Sequence, residues 1–471
     1  MRETAVATKP LKIFWLTVFF ISPAVPLLLY FHRNWYTFFH SWSLAMVAGI
    51  VAFVWINNQF ILAARTRYFD RIFGLDRILR FHGNMGVIIA VLIVVHVALK
   101  SIYQFERNLQ VILGVVATQI FLAVIVVSVV LFSSTFLLRL RPLERLRRYS
   151  AEKLRLQYQH LRAFHNLTIL AGALVAAHVV LASSTAETRL RQVVMLAWFL
   201  VALVMYGEHK ILRPARLRKR PFTVSRVVEE GPGVQTIHLT IPDGVEWRAR
   251  AGQFAFFAHL PGREEHPFTL SSPEETGEIS FTAKDLGDWS GNLGHVSPGD
   301  SFAVDGPYGV FTLRRAVPGR PVVMLAGGIG ITPFLGMLRT MARRSRSVEM
   351  SGEPQEDRED RHAASGSPRT VDLVWNVRWA RDLFCRDELD RISAAVPGMR
   401  WSSLVSREQE GSFVQGRMDA DWLSQWLRDH PDFAEREYYL CGPAAQMETL
   451  IRTLRGAGVP AVQIHFENFA M

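Results

Sequence analysis

The chain has 471 residues, a formal net charge of +11 and a hydrophobic fraction of 49%, a length that predicts roughly two to four domains. Its two cysteines, Cys385 and Cys441, exclude a disulfide framework and any cysteine-held iron–sulfur or zinc site. The positive charge would suit nucleic acid, but most basic residues sit in loops between long apolar runs, which excludes that partner.

Those apolar runs nearly all precede residue 210, and six of them are long enough to cross a bilayer: about 11–31, 41–63, 82–103, 111–138, 165–184 and 191–208. The first is too long for a removable signal peptide and lacks its small-residue cleavage site. Pro23 and Pro26 are expected to kink it. Loop charge gives the orientation. Arg65, Arg67, Arg71, Arg77 and Arg80 follow the second span, and Arg139, Arg141, Arg145, Arg147, Arg148, Lys153, Arg155 and Arg162 follow the fourth. Lys210, Arg213, Arg216, Arg218, Lys219 and Arg220 follow the sixth, whereas the alternate loops hold only Arg33, Lys100, Arg107, Arg189 and Arg191. The positive-inside rule then predicts a multi-pass plasma (inner) membrane protein with its N-terminus and its second half in the cytoplasm.

Ionisable groups inside spans are rare and usually functional. His82 and His96 stand fourteen positions apart in the third span, and His165 and His178 thirteen apart in the fifth. In a left-handed bundle of about 3.5 residues per turn, fourteen residues is four turns, so His82 and His96 share a face. Both spans run outward, which pairs His82 with His165 on the inner side and His96 with His178 on the outer. Two such pairs are enough to ligate two haem irons, and neutral imidazoles on both faces give low-spin b-type haems. Thirteen residues leave His178 about 100–140° from His165 on an ideal helix. The fifth span is therefore expected to be distorted near Gly172 or to cross its neighbour obliquely. His32, His40, His160 and His209 read as interfacial. Arg77, Arg80 and Arg162 suit either haem propionates or the positive-inside bias. Lys100, one turn outside His96, reads either as a snorkelling lysine or as a cation that draws an electron acceptor.

From Pro221 the pattern becomes short alternating strands, a small antiparallel barrel over 215–318. His266-Pro267-Phe268-Thr269-Leu270-Ser271-Ser272 sets an aromatic and hydroxyls on one extended segment, suited to packing a flat isoalloxazine. Lys284 and the turn Gly287-Asp288-Trp289-Ser290 offer a cation and backbone donors to a pyrophosphate. Asp305-Gly306-Pro307-Tyr308-Gly309 is expected to close the barrel as a turn.

Over 319–471 the strand ending at Ala326 runs into Gly327-Gly328-Ile329-Gly330-Ile331-Thr332-Pro333 and then a helix. Glycines let the backbone approach a phosphate; Thr332 is expected to cap the helix, and Pro333 suits its first turn. The next strand ends before Arg378 and Arg381, with no acidic residue at the ribose position, which favours NADPH over NADH; ordinary solvated arginines are the alternative. A later strand leads to Cys441-Gly442-Pro443, a bend where backbone and thiol face the nicotinamide. Near the end, Phe469 is placed to cover the flavin face. Residues 343–370 are charged, Ser/Gly/Pro-rich and aperiodic, and read as a disordered insertion, or else a docking segment.

Six spans, two His/His pairs, HPFTLSS, GDWS, DGPYG, GGIGITPF and CGP, in that order, resemble the NADPH oxidase and ferric reductase superfamily, particularly its compact bacterial NADPH oxidases. The resemblance covers nearly the whole chain. It implies a six-helix transmembrane di-haem bundle (1–214), an antiparallel β-barrel FAD domain (215–318) and an α/β NADP domain (319–471). It also implies electron flow from NADPH through FAD and two b-type haems to an extracytoplasmic acceptor, O2 giving superoxide. The same core suits a ferric-chelate reductase, or a haem relay to a periplasmic partner or quinone; a protein partner is admitted but not required. The unequal histidine spacing is like that of the family. Three features depart from it. No calcium-binding or subunit-docking extension is recognisable, Ala470 and Met471 follow the terminal aromatic, and Lys100 stands where eukaryotic oxidases tend to have a histidine.

Overall fold

The computed structural model describes residues 9–32, 39–103, 108–131, 158–350, 370–407 and 414–467. It divides into two compact units, Met1–Arg213 and Pro214–Met471.

The first unit is helical and, among the described residues, contains six helical stretches long and apolar enough to span a bilayer. The first breaks where proline removes a backbone donor: α1 (Lys9–Ile21) stops, Ser22 and Pro23 turn, and α2 (Ala24–Phe31) resumes. Ser22 turns its hydroxyl back to the carbonyl of Phe19 at 2.7 Å. Next come α3 (Ser41–Ala63), a short α4 (Arg67–Phe73) and α5 (Leu75–Ser101), with α3 packed along α5. Because α5 begins at Leu75 rather than near 82, Arg77 and Arg80 belong to its first turns instead of a loop, and Arg80 pairs with Asp76 at 2.8 Å. The fourth span is α6 (Leu109–Leu131). The basic segment that follows, 139–155, lies outside the described residues.

The fifth span is interrupted, though not at Gly172. Helix α7 (Tyr158–His165) ends on the histidine, Asn166 makes a turn, and α8 (Leu167–Leu181) continues. Asn166 N–H donates to Ala163 O, an i→i+3 bond of 3.1 Å that tightens the chain beside His165. That local overwinding turns His165 part of the way toward the face of His178. Gly172 is instead a packing position, where a Cβ would meet the Phe60 ring at 3.0 Å. The last span, α9 (Arg189–Gly207), passes through a π-turn, Glu208–Leu212, that carries His209. His209 is buried, not interfacial. Arg191, expected in an outer loop, is buried too; it donates to the carbonyls of Leu29 at 3.1 Å, Ser184 at 2.8 Å and Tyr30 at 3.2 Å.

The second unit opens with six antiparallel strands: β1 (Phe222–Gly231), β2 (Val234–Thr240), β3 (Phe254–His259), β4 (His266–Thr269), β5 (Glu278–Lys284) and β6 (Ser301–Tyr308). They lie in the order β4-β3-β6-β1-β2-β5, and a bridge from Leu270 to Phe281 joins the two edges into a barrel. Full closure removes the exposed edges. The DGPYG segment forms the end of β6 rather than a turn, because Gly306 lets that strand lie on Ala255 and the Tyr308 hydroxyl donates back to the Asp305 carboxylate at 2.9 Å.

Six parallel strands follow: β7 (Val322–Gly327), β8 (Val371–Val377), β9 (Met399–Val405), β10 (Val414–Gln415), β11 (Glu437–Cys441) and β12 (Ile464–Glu467), in the order β10-β9-β8-β7-β11-β12. Strands β7 and β8 are buried along their whole length, as central strands are in a sheet covered on both faces. Helices α10 (Thr332–Met350), α11 (Arg386–Ala395), α12 (Ala420–Asp429) and α13 (Ala444–Gly456) cover it. Since α10 runs on to Met350, residues 343–350 are helical and not part of a disordered insertion; residues 351–369 lie outside the described residues.

Candidate functional site

The structure brings the four membrane histidines together in two pairs. The rings of His82 and His165 are 6.2 Å apart, and those of His96 and His178 are 6.4 Å apart. Imidazole–metal bonds of about 2.0 Å on opposite sides of one metal put ring centres roughly 6 Å apart. His96 Nδ1 donates to the carbonyl of Ala45 at 2.7 Å and His178 Nδ1 to that of Gln110 at 2.8 Å. A carbonyl only accepts, so both outer rings carry their proton on Nδ1 and keep the Nε2 lone pair for a metal. On the inner side, Nδ1 of His82 is buried beside the backbone of Gln59 without a hydrogen bond of normal geometry. Both polar atoms of the Gln59 amide, Asn57 Oδ1 and Ser128 Oγ are also buried without a hydrogen-bond partner. Burying such atoms is costly unless a bound group meets them. Among the described residues no group of three or more His, Cys, Asp or Glu is placed to hold a metal. Two-ligand sites suit a metal that brings its own equatorial ligands, so the residues present fit haem. Lys100, at the C-terminal end of α5, lies with Nζ 3.1 Å from the centre of the Trp42 ring.

In the barrel, His266, Pro267, Phe268 and Thr269 form β4, paired with β3. Trp289 stacks on His266 at 4.5 Å and on Phe268 at 5.4 Å, and Phe268 stacks on Phe281 at 5.0 Å. Phe268 is thus part of an aromatic stack and does not stand alone for a flat ligand. Two expectations change. Ser271 is fully buried, and its hydroxyl joins Ser280 at 3.1 Å and Thr282 at 3.0 Å, so it belongs to the barrel interior. Lys284 pairs with Asp382 at 3.0 Å, a contact between the two halves of this unit. The Gly287 turn is exposed, and Ser290 Oγ accepts from Gly287 N at 3.1 Å, so that hydroxyl organises the turn itself.

At the C-terminal ends of the parallel strands the strand order reverses between β7 and β11, which is where open α/β sheets take ligands. The two glycine-bearing bends meet there. A Cβ at Gly327 would lie 2.8 Å from Pro443, one at Gly330 would lie 2.3 Å from Cys441 O, and one at Gly442 would lie 2.9 Å from Gly327. Gly328 has φ +56 and open space around it. The 3₁₀ turn Gly328–Ile331 leads straight into α10, so Thr332 is the first helical residue rather than the cap, and Pro333 follows in the first turn. Cys441 is fully buried, and burial, with Glu467 nearby, holds its thiol well above the ordinary range; it is a neutral S–H. Arg378 and Arg381 are exposed past β8, with the Arg381 guanidinium 5.6 Å from the Trp379 ring. Phe469 lies outside the described residues.

Several contributors to these sites carry no sequence motif. Arg407 follows β9, and its N–H donates to Arg378 O at 3.0 Å, which adds a third arginine to that sheet edge. Glu467 is buried on β12 in register with Cys441. Gly49 and Gly114 lie against the outer imidazoles. Arg407 and Glu467 were missed, though a basic residue after a parallel strand and an acid on the last one are the signals that could have found them; nothing local in the sequence marked the glycines.

A bundle of membrane-spanning helices joined to an antiparallel barrel and a parallel nucleotide-binding sheet defines a multi-pass membrane oxidoreductase that uses FAD and NAD(P)H. Residues 48–136 match the ferric reductase like transmembrane component, and residues 324–453 match the oxidoreductase NAD-binding domain. The chain is similar to the reductase component of propane 2-monooxygenase from Mycolicibacterium goodii, 30% identical over 57% of this chain and 73% of that protein. It is 25% identical to the corresponding component from Rhodococcus jostii (strain RHA1) over 57% of this chain and 68% of that one. The flavohemoglobin from Malassezia yamatoensis with bound FAD and heme superposes with a TM-score of 0.46 at 18% identity, over 77% of this chain and 97% of that one. The chain belongs to the NADPH oxidase and ferric reductase superfamily: a ferric-reductase transmembrane domain fused to a ferredoxin-NADP-reductase-like module.

Proposed function

We propose that the bundle holds two b-type haems, one between His82 and His165 and one between His96 and His178, and that electrons pass from cytoplasmic NADPH through FAD and both haems to an acceptor across the membrane, O2 being reduced to superoxide. The observation that carries this reading is the pairing of the four histidines at 6.2 and 6.4 Å within a bundle fused to a reductase module. The arginine-rich loops after the second, fourth and sixth spans support a cytoplasmic module. When bound, the nicotinamide supplies a hydride, the flavin parts its two electrons, and the haems pass them singly.

The chain's own residues bind, orient and exclude water. His266, Phe268, Thr269 and Trp289 give the flavin ring system an aromatic wall with a hydroxyl at its edge, and the exposed Gly287–Ser290 turn takes the pyrophosphate. Gly327, Gly328 and Gly330 bring backbone N–H groups to the nucleotide phosphates at the start of α10, where the helix dipole favours negative charge. Arg378 and Arg381, with Arg407 beside them, receive a 2′-phosphate; Asp382, the nearest acid after β8, is engaged by Lys284. Gly442 and Pro443, with the backbone of Cys441, form the nicotinamide side; the Cys441 thiol, expected to face it, is instead buried in the core of the sheet. Phe469, which lies outside the described residues, would by its place in the sequence cover the flavin face. At the outer end, Lys100 and Trp42 make a cationic, aromatic surface.

The Lys100 cation favours a second reading, a ferric-chelate reductase, since many Fe(III) chelates are anionic. Purified protein supplied with NADPH decides between them. Cytochrome c reduction that superoxide dismutase abolishes supports O2; dismutase-insensitive Fe(III)-chelate reduction supports the chelate; turnover only with added membrane or periplasmic extract overturns both.

A further inference from the structure

We infer that Gly49 and Gly114 are positioning residues for the outer haem: each is the gap through which a histidine reaches a helix carbonyl that fixes its tautomer and rotation. The inference rests on the reading that His96 and His178 hold a haem.

The same device occurs on two helices. His96 Nδ1 meets Ala45 O at 2.7 Å, and the residue four positions on is Gly49; His178 Nδ1 meets Gln110 O at 2.8 Å, and four positions on is Gly114. In an α-helix the carbonyl of residue i points at the N–H of residue i+4, so the side chain at i+4 flanks any outside donor approaching that oxygen. A Cβ at Gly49 would lie 2.7 Å from Nδ1 and 2.8 Å from Cε1 of His96. One at Gly114 would lie 2.7 Å from Nδ1 and 2.8 Å from Cε1 of His178. Ordinary contact starts at 3.4 Å, so an alanine at either position drives the ring back by a few tenths of an ångström and stretches or breaks the Nδ1 hydrogen bond.

The inner site lacks this device. Its carbonyl partner on α3 would be Gln59, fourteen residues from Ala45 as His82 is from His96, but the residue four positions on is Ala63. There His82 Nδ1 makes no hydrogen bond of normal geometry. Nor is glycine alone sufficient: Gly86, on α5 between the two histidines, has nothing within 4 Å of its Cβ position. An N–H···O=C bond raises the basicity of a ligating imidazole and favours the oxidised metal. Losing it moves the outer haem's midpoint upward, or frees that haem, and leaves the inner one as it was.

The experiment uses full-length protein in detergent, with haem content by pyridine haemochrome and an anaerobic potentiometric titration of the α-band. Gly49→Ala and Gly114→Ala are each expected either to raise one of two midpoints or to lose about half the haem, with Gly86→Ala like wild type. Both variants keeping both haems at wild-type midpoints overturns the inference. Wild type without haem overturns the reading of the histidine pairs instead. If Gly49→Ala does not accumulate, the double variant Gly49→Ala/His96→Ala decides: accumulation equal to His96→Ala supports a clash with the ring, and continued failure overturns it.

Discussion

Arg339 on α10 offers the strongest test of how the two halves of the second unit are joined. Its guanidinium makes a bidentate pair with Glu388 on α11, at 2.8 and 2.7 Å, and donates to the Ser271 carbonyl at 2.7 Å, directly after the HPFT strand. Removing one partner of a buried pair costs about 3–5 kcal/mol. The side chain of Glu388 is 29% exposed, which lowers that part to about 2 kcal/mol, and a carbonyl left unmet adds about 1. Arg339→Met should therefore destabilise the unit by roughly 3 kcal/mol, a fall of about 6–12 °C in Tm for a unit of this size. Thermal release of flavin fluorescence from the full-length protein reads it. Adding Glu388→Leu should restore part of the loss, because the orphaned carboxylate goes with it. The pH dependence follows from Glu388. Burial pushes its carboxyl up, but the hydrogen bonds and charge of Arg339 outweigh that and hold it below the ordinary 4.5. A depressed folded value means the pair contributes fully above 4.5 and is lost as pH falls through the folded value. The Tm gap between wild type and Arg339→Met should hold steady at neutral pH and narrow in acid. A fall under about 2 °C, or a double variant worse than the single, would refute the reasoning.

Other consequences can be measured on the same preparation. His96→Leu should leave flavin reduction by NADPH at its wild-type rate while one haem signal and transmembrane delivery disappear; undiminished delivery would count against the pairing with His178. Arg378→Ala should raise KM for NADPH about tenfold with little change for NADH, the loss of one charge-assisted contact, and Arg407→Ala should behave alike. Equal effects on both nucleotides would remove the preference. Gly330→Ala sets a Cβ 2.3 Å from Cys441 O, so the two bends must part. Stopped-flow flavin reduction should slow by about 100-fold, as an ångström of misplacement commonly costs, with FAD still bound.

Sequence pattern made the membrane histidines, the strand-to-glycine turns and the change from helical bundle to barrel to parallel sheet legible, because each depends on residue type at short range. An imidazole in an apolar run and a glycine run after a buried strand identify themselves. The failures share one cause. Ser271 and Lys284 looked available for a ligand, yet their partners, Ser280, Thr282 and Asp382, are supplied by other strands and by the other half of the unit. The fifth span was expected to be distorted near Gly172 or to cross its neighbour obliquely, but the tight turn follows His165 directly and the glycine answers Phe60.

Gly49, Gly86 and Gly114 mark a different boundary of what sequence conveys. All three sit in apolar helices where small residues are common, and no local feature separates the two that touch imidazole from the one that touches nothing. Residues that act by chemistry announce it through their side chains. Residues that act by leaving room acquire a role only when another helix supplies the ring that fills it. Seen this way, the outer histidines can hold one tautomer because two neighbouring helices each leave out a Cβ beside the carbonyl that the imidazole must reach.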